Sequence, residues 1–147
     1  MTDRSVVFDA SVSAKWVIEE ASSDAAHVLL NECIENDVEI TVPPLWGYEL
    51  DSIVRFRVSR GAMSDEDAAS AYAFIDGMPL TVRQIGGVRR RARAIAAQAN
   101  QRRVYDSIYA AHAEAEGCVL WTADRAYYRA VSGFLTHVHY LGESGTQ

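Results

Sequence analysis

The chain has 147 residues, of which 49% are hydrophobic, and it carries a net charge of −6. This size and apolar fraction predict a single domain, residues 1–147, with a hydrophobic core of its own. No long uninterrupted apolar stretch occurs, which argues against a membrane span. The chain starts with four residues that lead directly into a strand-like run, so we expect no signal peptide and a cytoplasmic protein. In that compartment Cys33 and Cys118 are expected to be reduced core thiols.

Strand and helix patterns alternate along the chain. In chain order we predict a strand at Ser5–Phe8, a helix around Ala26–Ile34, a strand at Val38–Val42, a helix from Pro43 to about Arg60, a helix beginning at Ser64 and ending near Gly77, a strand at Leu80–Ile85, a helix at Val88–Ala99, a helix at Asp106–Glu116, a strand at Val119–Thr122, a short helix at Arg125–Val131 and a last strand at His137–Leu141. This alternation predicts an α/β sandwich in which helices flank a mostly parallel central sheet. Ligands of such sheets bind beyond the carboxyl ends of the strands.

Four acidic residues occupy positions where an acid is costly. Asp9 and Asp124 each end an apolar strand, Asp106 opens an Ala-rich helix, and Glu49 falls on the apolar stripe of its helix, between Ile53 and Phe56. Buried carboxylates are unfavourable unless they are paired or bound to a cation. Converging on one site, the four acids would form an oxygen-rich set of ligands for Mg²⁺ or Mn²⁺.

Each acid also has an ordinary explanation when it is taken alone. Asp9 and Asp106 can cap the helices that follow them, because Asp is a common N-terminal cap. Asp124 can be a turn residue between a strand and a helix. These explanations leave open why three junctions and one apolar stripe all carry acids. By contrast, Asp51 falls on the opposite side of its helix from Glu49, where we expect an ordinary surface acid paired with Arg55.

Basic charge is concentrated in one segment. Residues 77–105 contain seven of the fourteen basic residues and none of the twenty acids, so this segment carries +7 and the rest of the chain −13. A solvated helix face is the default interpretation of its arginines, and an RNA-binding track is the sharper one. Gly86-Gly87 before a helix could hold a phosphate, although a plain turn is the more common use of paired glycines. The four histidines lack the spacing of zinc ligands.

Four motifs, in order, resemble those of PIN-domain ribonucleases, especially VapC-type toxins of bacterial toxin–antitoxin pairs. They are Asp9-Ala-Ser-Val12 followed by Lys15-Trp16, Pro43-Pro-Leu-Trp-Gly-Tyr-Glu49, Val104-Tyr-Asp-Ser-Ile-Tyr-Ala-Ala111 and Leu120-Trp-Thr-Ala-Asp-Arg125. The resemblance spans nearly the whole chain and implies a three-layer PIN-like sandwich. It departs from the family pattern at Ser52, where the family often has Asn.

The resemblance implies a metal-dependent endoribonuclease in which Asp9, Glu49, Asp106 and Asp124 hold Mg²⁺ or Mn²⁺, with Ser11 and Thr122 as hydroxyls beside the site. It also implies an RNA substrate, a cognate antitoxin and a homodimer. One or two ions are both compatible with four acids. The basic segment can then also serve to dock an acidic part of the antitoxin. The alternative from another class is a PIN-fold regulatory binding protein with little or no nuclease activity.

Overall fold

The structure is a computed structural model that describes residues 4–142. The strands in this part of the chain are β1 (Ser5–Phe8), β2 (Glu39–Val42), β3 (Leu80–Val82), β4 (Val119–Thr122) and β5 (Val138–Tyr140). The helices are α1 (Ala10–Ser13), α2 (Ser23–Glu35), α3 (Leu45–Ser59), α4 (Asp65–Asp76), α5 (Val88–Gln98), α6 (Tyr105–Glu116) and α7 (Arg125–Val131), and a 3-10 turn at Ala14–Trp16 continues α1.

The five strands form one sheet in the order β3-β2-β1-β4-β5, and every pairing is parallel. Helices flank this sheet in a three-layer α/β arrangement of the PIN-like type, which confirms the predicted fold class. The chain proceeds outward from β1 to β3 and then returns to the other side of β1 as β4. The topological switch point therefore lies between β1 and β4, the place where sheets of this kind bind ligands.

Local patterns explain most of the element bounds. Ser64 caps α4 by accepting a hydrogen bond from the Asp67 backbone N–H at 3.0 Å, as the sequence predicts. Gly117 ends α6 with a φ of +69°, a left-handed conformation that favours glycine. Three strands are shorter than predicted: β2 begins at Glu39, β3 ends at Val82 and β5 spans three residues. Because β3 lies at the edge of the sheet and none of its side chains is fully buried, little packing extends its pairing.

The core is made by the inner faces of the sheet and by the helices that cover it. Val7, Phe8, Leu120 and Val42 are completely buried. Cys33 and Cys118 are both buried, as predicted for core residues. Within the described residues, no helix combines the length and the apolar character that crossing a membrane requires.

The helix patterns mislead at two positions. Ile34, predicted on the buried face of α2, is 47% exposed, and Phe56 on α3 is 59% exposed. The buried face of α3 runs instead through Trp46, Leu50 and Val54, which follow one another at intervals of four residues. Glu49 therefore lies at the border of that face, half-buried, and not at its centre. The Arg60 guanidinium covers Phe56, 5.3 Å from the ring centroid, which shields part of this exposed ring.

Candidate active site

Asp9 is fixed at the carboxyl end of β1. Its backbone N–H donates to the Trp121 carbonyl of β4 at 3.2 Å, and its side chain caps α1 by accepting from the Val12 N–H at 3.0 Å. The Ser11 hydroxyl donates to the same carboxylate oxygen, Oδ1, at 2.6 Å. Asp9 is only 3% exposed, and this burial raises its pKa to about 6 against the opposing effect of these hydrogen bonds. The carboxyl group is thus held firmly in place where its charged form is disfavoured.

Ser11 and Thr122 link Asp9 to Asp124. The Ser11 hydroxyl accepts from the Ala123 N–H at 2.8 Å and lies 3.4 Å from the hydroxyl of Thr122. The Asp124 N–H donates to Thr122 Oγ1 at 3.1 Å. The ends of β1 and β4 are therefore joined through the hydroxyl groups of Ser11 and Thr122, the two residues predicted to lie beside the site. Their role toward an ion stays a prediction.

Asp124 follows β4 and caps α7, because its Oδ1 accepts from the backbone N–H of Tyr127 at 3.0 Å. The capping interpretation is therefore correct for Asp9, and Asp124, for which the sequence suggested only a turn, also caps a helix. Both caps use Oδ1 of the aspartate. Since a carboxylate has two oxygens with about four acceptor positions, capping fixes the orientation of the group and leaves acceptor positions for a ligand.

Asp106 is not a cap, and that alternative is wrong. Val104 occupies the N-cap position of α6, and Asp106 is the second residue of the helix. Within residues 4–142 the Asp106 carboxylate accepts no hydrogen bond and forms no ion pair. Burial, and after it the negative charges of the other three acids, Asp9, Asp124 and Glu49, raise its pKa to about 7. The electrostatic effect shows that all four carboxylates surround one region.

Glu49 is tied to the same region by a residue that the sequence reasoning missed. The buried hydroxyl of Tyr109 donates to Glu49 Oε1 at 2.7 Å. Tyr109 lies three residues after Asp106 on α6, so one helix carries an acid of the site and the hydroxyl that holds another. Burial raises the pKa of Glu49, and the hydrogen bond from Tyr109 opposes this rise. A tyrosine on a mostly apolar helix needs a partner for its hydroxyl, which was the available indication.

The chemistry of this donor set fits Mg²⁺ or Mn²⁺, because both ions prefer carboxylate oxygens. None of the four acids forms an ion pair with a basic side chain of residues 4–142, so no internal cation offsets their charge there. The acids are close enough to influence one another electrostatically. However, no three His, Cys, Asp or Glu side chains of the described part are grouped closely enough to hold an ion as they stand. A bound ion would have to draw the carboxylates inward.

Other acids and histidines lie outside this region. Asp51 is exposed, as predicted, but its expected ion pair with Arg55 does not form. His137 Nε2 contacts the Ala110 carbonyl at 2.8 Å, and His139 packs edge-on against Trp121. These histidines have structural contacts and do not converge on a metal site.

Comparison with known proteins supports the fold. No family model matches the sequence, and no curated protein matches it either. Among solved structures, PAE2754 from Pyrobaculum aerophilum is 23% identical, with a TM-score of 0.61 over 92% of this chain and 95% of that one. VapBC2 from Rickettsia felis, solved bound to a DNA fragment from its promoter, is 14% identical, with a TM-score of 0.65 over 94% and 98%.

FitAcB from Neisseria gonorrhoeae is 12% identical, with a TM-score of 0.54 over 86% of this chain and 93% of that one. These neighbours are PIN-domain structures, so the resemblance seen in the sequence motifs is confirmed at the level of the fold. At these identities the likeness establishes the architecture alone.

Proposed function

We propose that the chain is a metal-dependent endoribonuclease that hydrolyses RNA phosphodiester bonds, and that it is the toxin of a type II toxin–antitoxin pair. The observation that carries the proposal is Asp106, a half-buried acid whose pKa is raised by three other carboxylates and which has no cationic or hydrogen-bonding partner in residues 4–142. Such a cluster is unfavourable in the empty protein and becomes favourable when a divalent ion binds. The switch-point location is where a ligand is expected.

The side chains of the site have separable tasks. Mg²⁺ or Mn²⁺ would supply an activated water and neutralise charge on the phosphate. Asp9, Glu49, Asp106 and Asp124 would hold the ion. Three of them are oriented by donors on the protein, Asp9 by Ser11 and Val12, Asp124 by Tyr127 and Glu49 by Tyr109. Preorganised ligands of this kind lose little conformational freedom when an ion and a substrate bind.

Cleavage of single-stranded RNA by the purified chain tests this function. We expect cleavage with Mg²⁺ or Mn²⁺, none with EDTA, and loss of cleavage in Asp9→Asn, Asp106→Asn and Asp124→Asn. The matched control is Asp51→Asn, which removes an exposed acid and should cleave like the wild type. Retained activity in all three site variants would refute the assignment of the site.

The second candidate is a regulatory PIN-fold protein that binds its partner without cleaving RNA. The lack of a closed ligand group in the described part favours this alternative. Metal-dependent cleavage separates the two, because the regulatory protein would show none at any metal concentration. A nuclease whose carboxylates close on the ion would instead show activity that saturates with metal.

We also propose an antitoxin partner and a homodimer. Support comes from two exposed aromatic side chains on α3: Tyr48 is 71% exposed, and Phe56 is 59% exposed although Arg60 lies over its ring. Exposed aromatic residues on one helix are typical of interaction surfaces. Light scattering of the purified chain, with and without Phe56→Ser, tests the dimer. Co-purification with the product of a neighbouring small reading frame tests the antitoxin.

A further inference from the structure

A cleft of about 860 Å³ lies beyond the carboxyl ends of β2 and β3. The parallel sheet places it on the same edge as the acidic site, one strand away from Asp9. Ile108 of α6 lines its wall, whereas Asp106, two residues earlier, points to another side of the same helix. The remaining lining comes from residues 43–45, from residues 83–87, which include the ion-paired Arg83, from the first turns of α5 and from His112.

The N-terminus of α5 opens into this cleft without a side-chain cap. Gly87 occupies the N-cap position with a φ of +87° and supplies no side-chain cap, and of the first amides that of Val88 donates to the Ile85 carbonyl at 3.3 Å. A Cβ at Gly86 or Gly87 would meet no atom within 4 Å, so there is space in front of these amides. Uncapped N–H groups and the positive end of the helix dipole together attract an anion. The paired glycines form the predicted turn, and the same turn exposes the amides.

Three arginines of the basic segment line the cleft and have no ion pair within residues 4–142: Arg89, Arg90 and Arg93. The neighbouring basic residues differ. Arg83 is held by Glu39 and Glu116 at 2.9 Å each, and Arg91 by Glu114 at 2.7 Å. Five arginines of the basic segment have no ion pair within residues 4–142, and three of these five line the cleft at the uncapped helix end, whereas Arg102 and Arg103 lie outside it.

His112 supplies a second, independent feature of the cleft. Its side chain is 1% exposed and lines the cleft, and its Nδ1 is a buried atom without a hydrogen-bond partner. Thr41 Oγ1 donates to Glu116 Oε2 at 2.9 Å, so it must accept from His112 Nε2, 3.0 Å away. Burial lowers the pKa of His112, so the ring is neutral and Nδ1 is an acceptor. Because a buried acceptor without a donor is unfavourable, we expect a ligand that donates a hydrogen bond to Nδ1.

We infer that this cleft binds a ribonucleotide unit of the RNA strand next to the bond that is cut. Its phosphate would lie against the α5 amides, Arg89 and Arg93, and a hydroxyl or amino hydrogen of the nucleotide would reach His112 Nδ1. A ribonucleotide carries both groups on neighbouring atoms, and its 2′-hydroxyl is a donor that DNA lacks. The inference rests on the proposed function in taking RNA as the ligand. It adds a site outside the acidic cluster, with a preference for RNA over DNA.

Fluorescence anisotropy with a short labelled single-stranded RNA, in EDTA so that the strand stays intact, tests the site. We expect Arg89→Gln/Arg93→Gln to weaken binding by about tenfold or more and to reduce the salt slope by about 0.7 for each phosphate that the variant no longer neutralises. The control is Arg4→Gln/Arg55→Gln, which removes two exposed arginines away from the cleft, one of them at the opposite end of β1. Equal effects of the two double variants, or none from the cleft variant, would overturn the inference.

His112→Leu tests the acceptor separately. Leucine offers no acceptor, and Thr41 keeps Glu116 and Arg83 as partners, so the ratio of RNA to DNA affinity should fall toward one while the fold, checked by melting, is retained. An unchanged ratio in a folded variant contradicts the role of His112. If that variant does not fold, a 2′-O-methyl strand bound by the wild type gives the same information, since it lacks the donor. Stronger retention of an acidic peptide than of RNA would also overturn the inference.

The binding assay is independent of cleavage. A wild-type protein that binds RNA through the cleft but cuts nothing with Mg²⁺ or Mn²⁺ would refute the proposed function and leave the cleft intact. If the wild type cuts RNA and the cleft variant binds RNA as tightly as the wild type, the proposed function stands and the inference about the cleft is overturned.

Discussion

Single residues of the site combine a structural and a chemical task. Asp9 and Asp124 each cap a short helix through one oxygen and lie at the end of a central strand, and burial raises the pKa of Asp9. The two interpretations that the sequence left open for these residues are therefore compatible. Asp106 differs because it has no capping role, so its position is costly without a ligand. Its substitution gives the cleanest test of the cluster.

Asp106→Asn should stabilise the metal-free protein at high pH. Burial and the other acids raise the folded-state pKa of Asp106 to about 7, above its unfolded value of about 3.9. The native state then binds a proton that the unfolded state loses, so stability falls as pH rises between these values. We expect the variant to exceed the wild type by up to about 4 kcal/mol at pH 8, up to about 13 °C in Tm, and to match it near pH 4.

Thermal melts at both pH values, in EDTA, measure this difference. Asp51→Asn serves as the control, because it removes an acid at an exposed position on α3 and should not change the melting temperature at either pH. A variant that melts below the wild type at pH 8 would show that Asp106 stabilises the empty protein. The site would then need another explanation.

Tyr109→Phe should weaken metal binding without disturbing the fold. The Tyr109 hydroxyl donates to Glu49 Oε1 and favours its charged form, which metal binding requires. Loss of such an orienting partner typically costs about 10–100-fold in metal affinity. Calorimetric titration with Mn²⁺ measures the affinity, and cleavage should recover at high metal concentration. Tyr72→Phe is the control, because it removes an exposed hydroxyl on α4. Identical Mn²⁺ affinities of both variants would assign Tyr109 a packing role only.

At the scale of elements, local patterns predicted which helices and strands exist and their order along the chain. β1, β4 and α7 have the predicted bounds because apolar runs and capping residues mark both of their ends. The predictions that were wrong concern which side of a helix is buried. The spacing of Phe56 predicts a core residue, but the buried face of α3 runs through Trp46, Leu50 and Val54. Which face of a helix is buried depends on its neighbours, and periodicity alone cannot specify it when apolar residues occur on two sides.

Ser64→Ala tests whether a local cap contributes to stability independently of the site. Ser64 accepts from the Asp67 N–H at the start of α4, and losing such a cap costs about 1 kcal/mol, or about 3 °C in Tm for a chain of this size. RNA cleavage should be unchanged, since α4 carries none of the four acids. Ser52→Ala, an exposed helical position on α3, should melt like the wild type. A loss of activity in Ser64→Ala at temperatures where it is folded would contradict this independence.

At the scale of the whole molecule, the strand order brings the acids together. Asp9 and Asp124 are far apart in sequence, but β1 and β4 are neighbours with Phe8 opposite Trp121. The alternation of elements predicted that both acids would lie at carboxyl ends, whereas no local pattern specifies which strands pair. The Tyr109–Glu49 hydrogen bond was unpredictable for the same reason, because it depends on how α3 and α6 meet. The four acids of the site could be predicted from the sequence, but the side chains that form hydrogen bonds with them could not.

Metal binding should therefore stabilise the folded chain more strongly as the pH rises. The pKa values of Asp9 and Asp106, about 6 and about 7, are raised chiefly by burial, so below pH 6 an ion must displace their protons. Mn²⁺ at 100 times its dissociation constant would add about 2.7 kcal/mol. We expect its effect on Tm to be larger at pH 8 than at pH 5.5. Mn²⁺-induced shifts in Tm that do not depend on pH would exclude proton displacement.

Glu49→Gln should melt at least as high as the wild type without metal and gain less in Tm from Mn²⁺. Equal Mn²⁺-induced shifts in the variant and the wild type would leave a site of three aspartates.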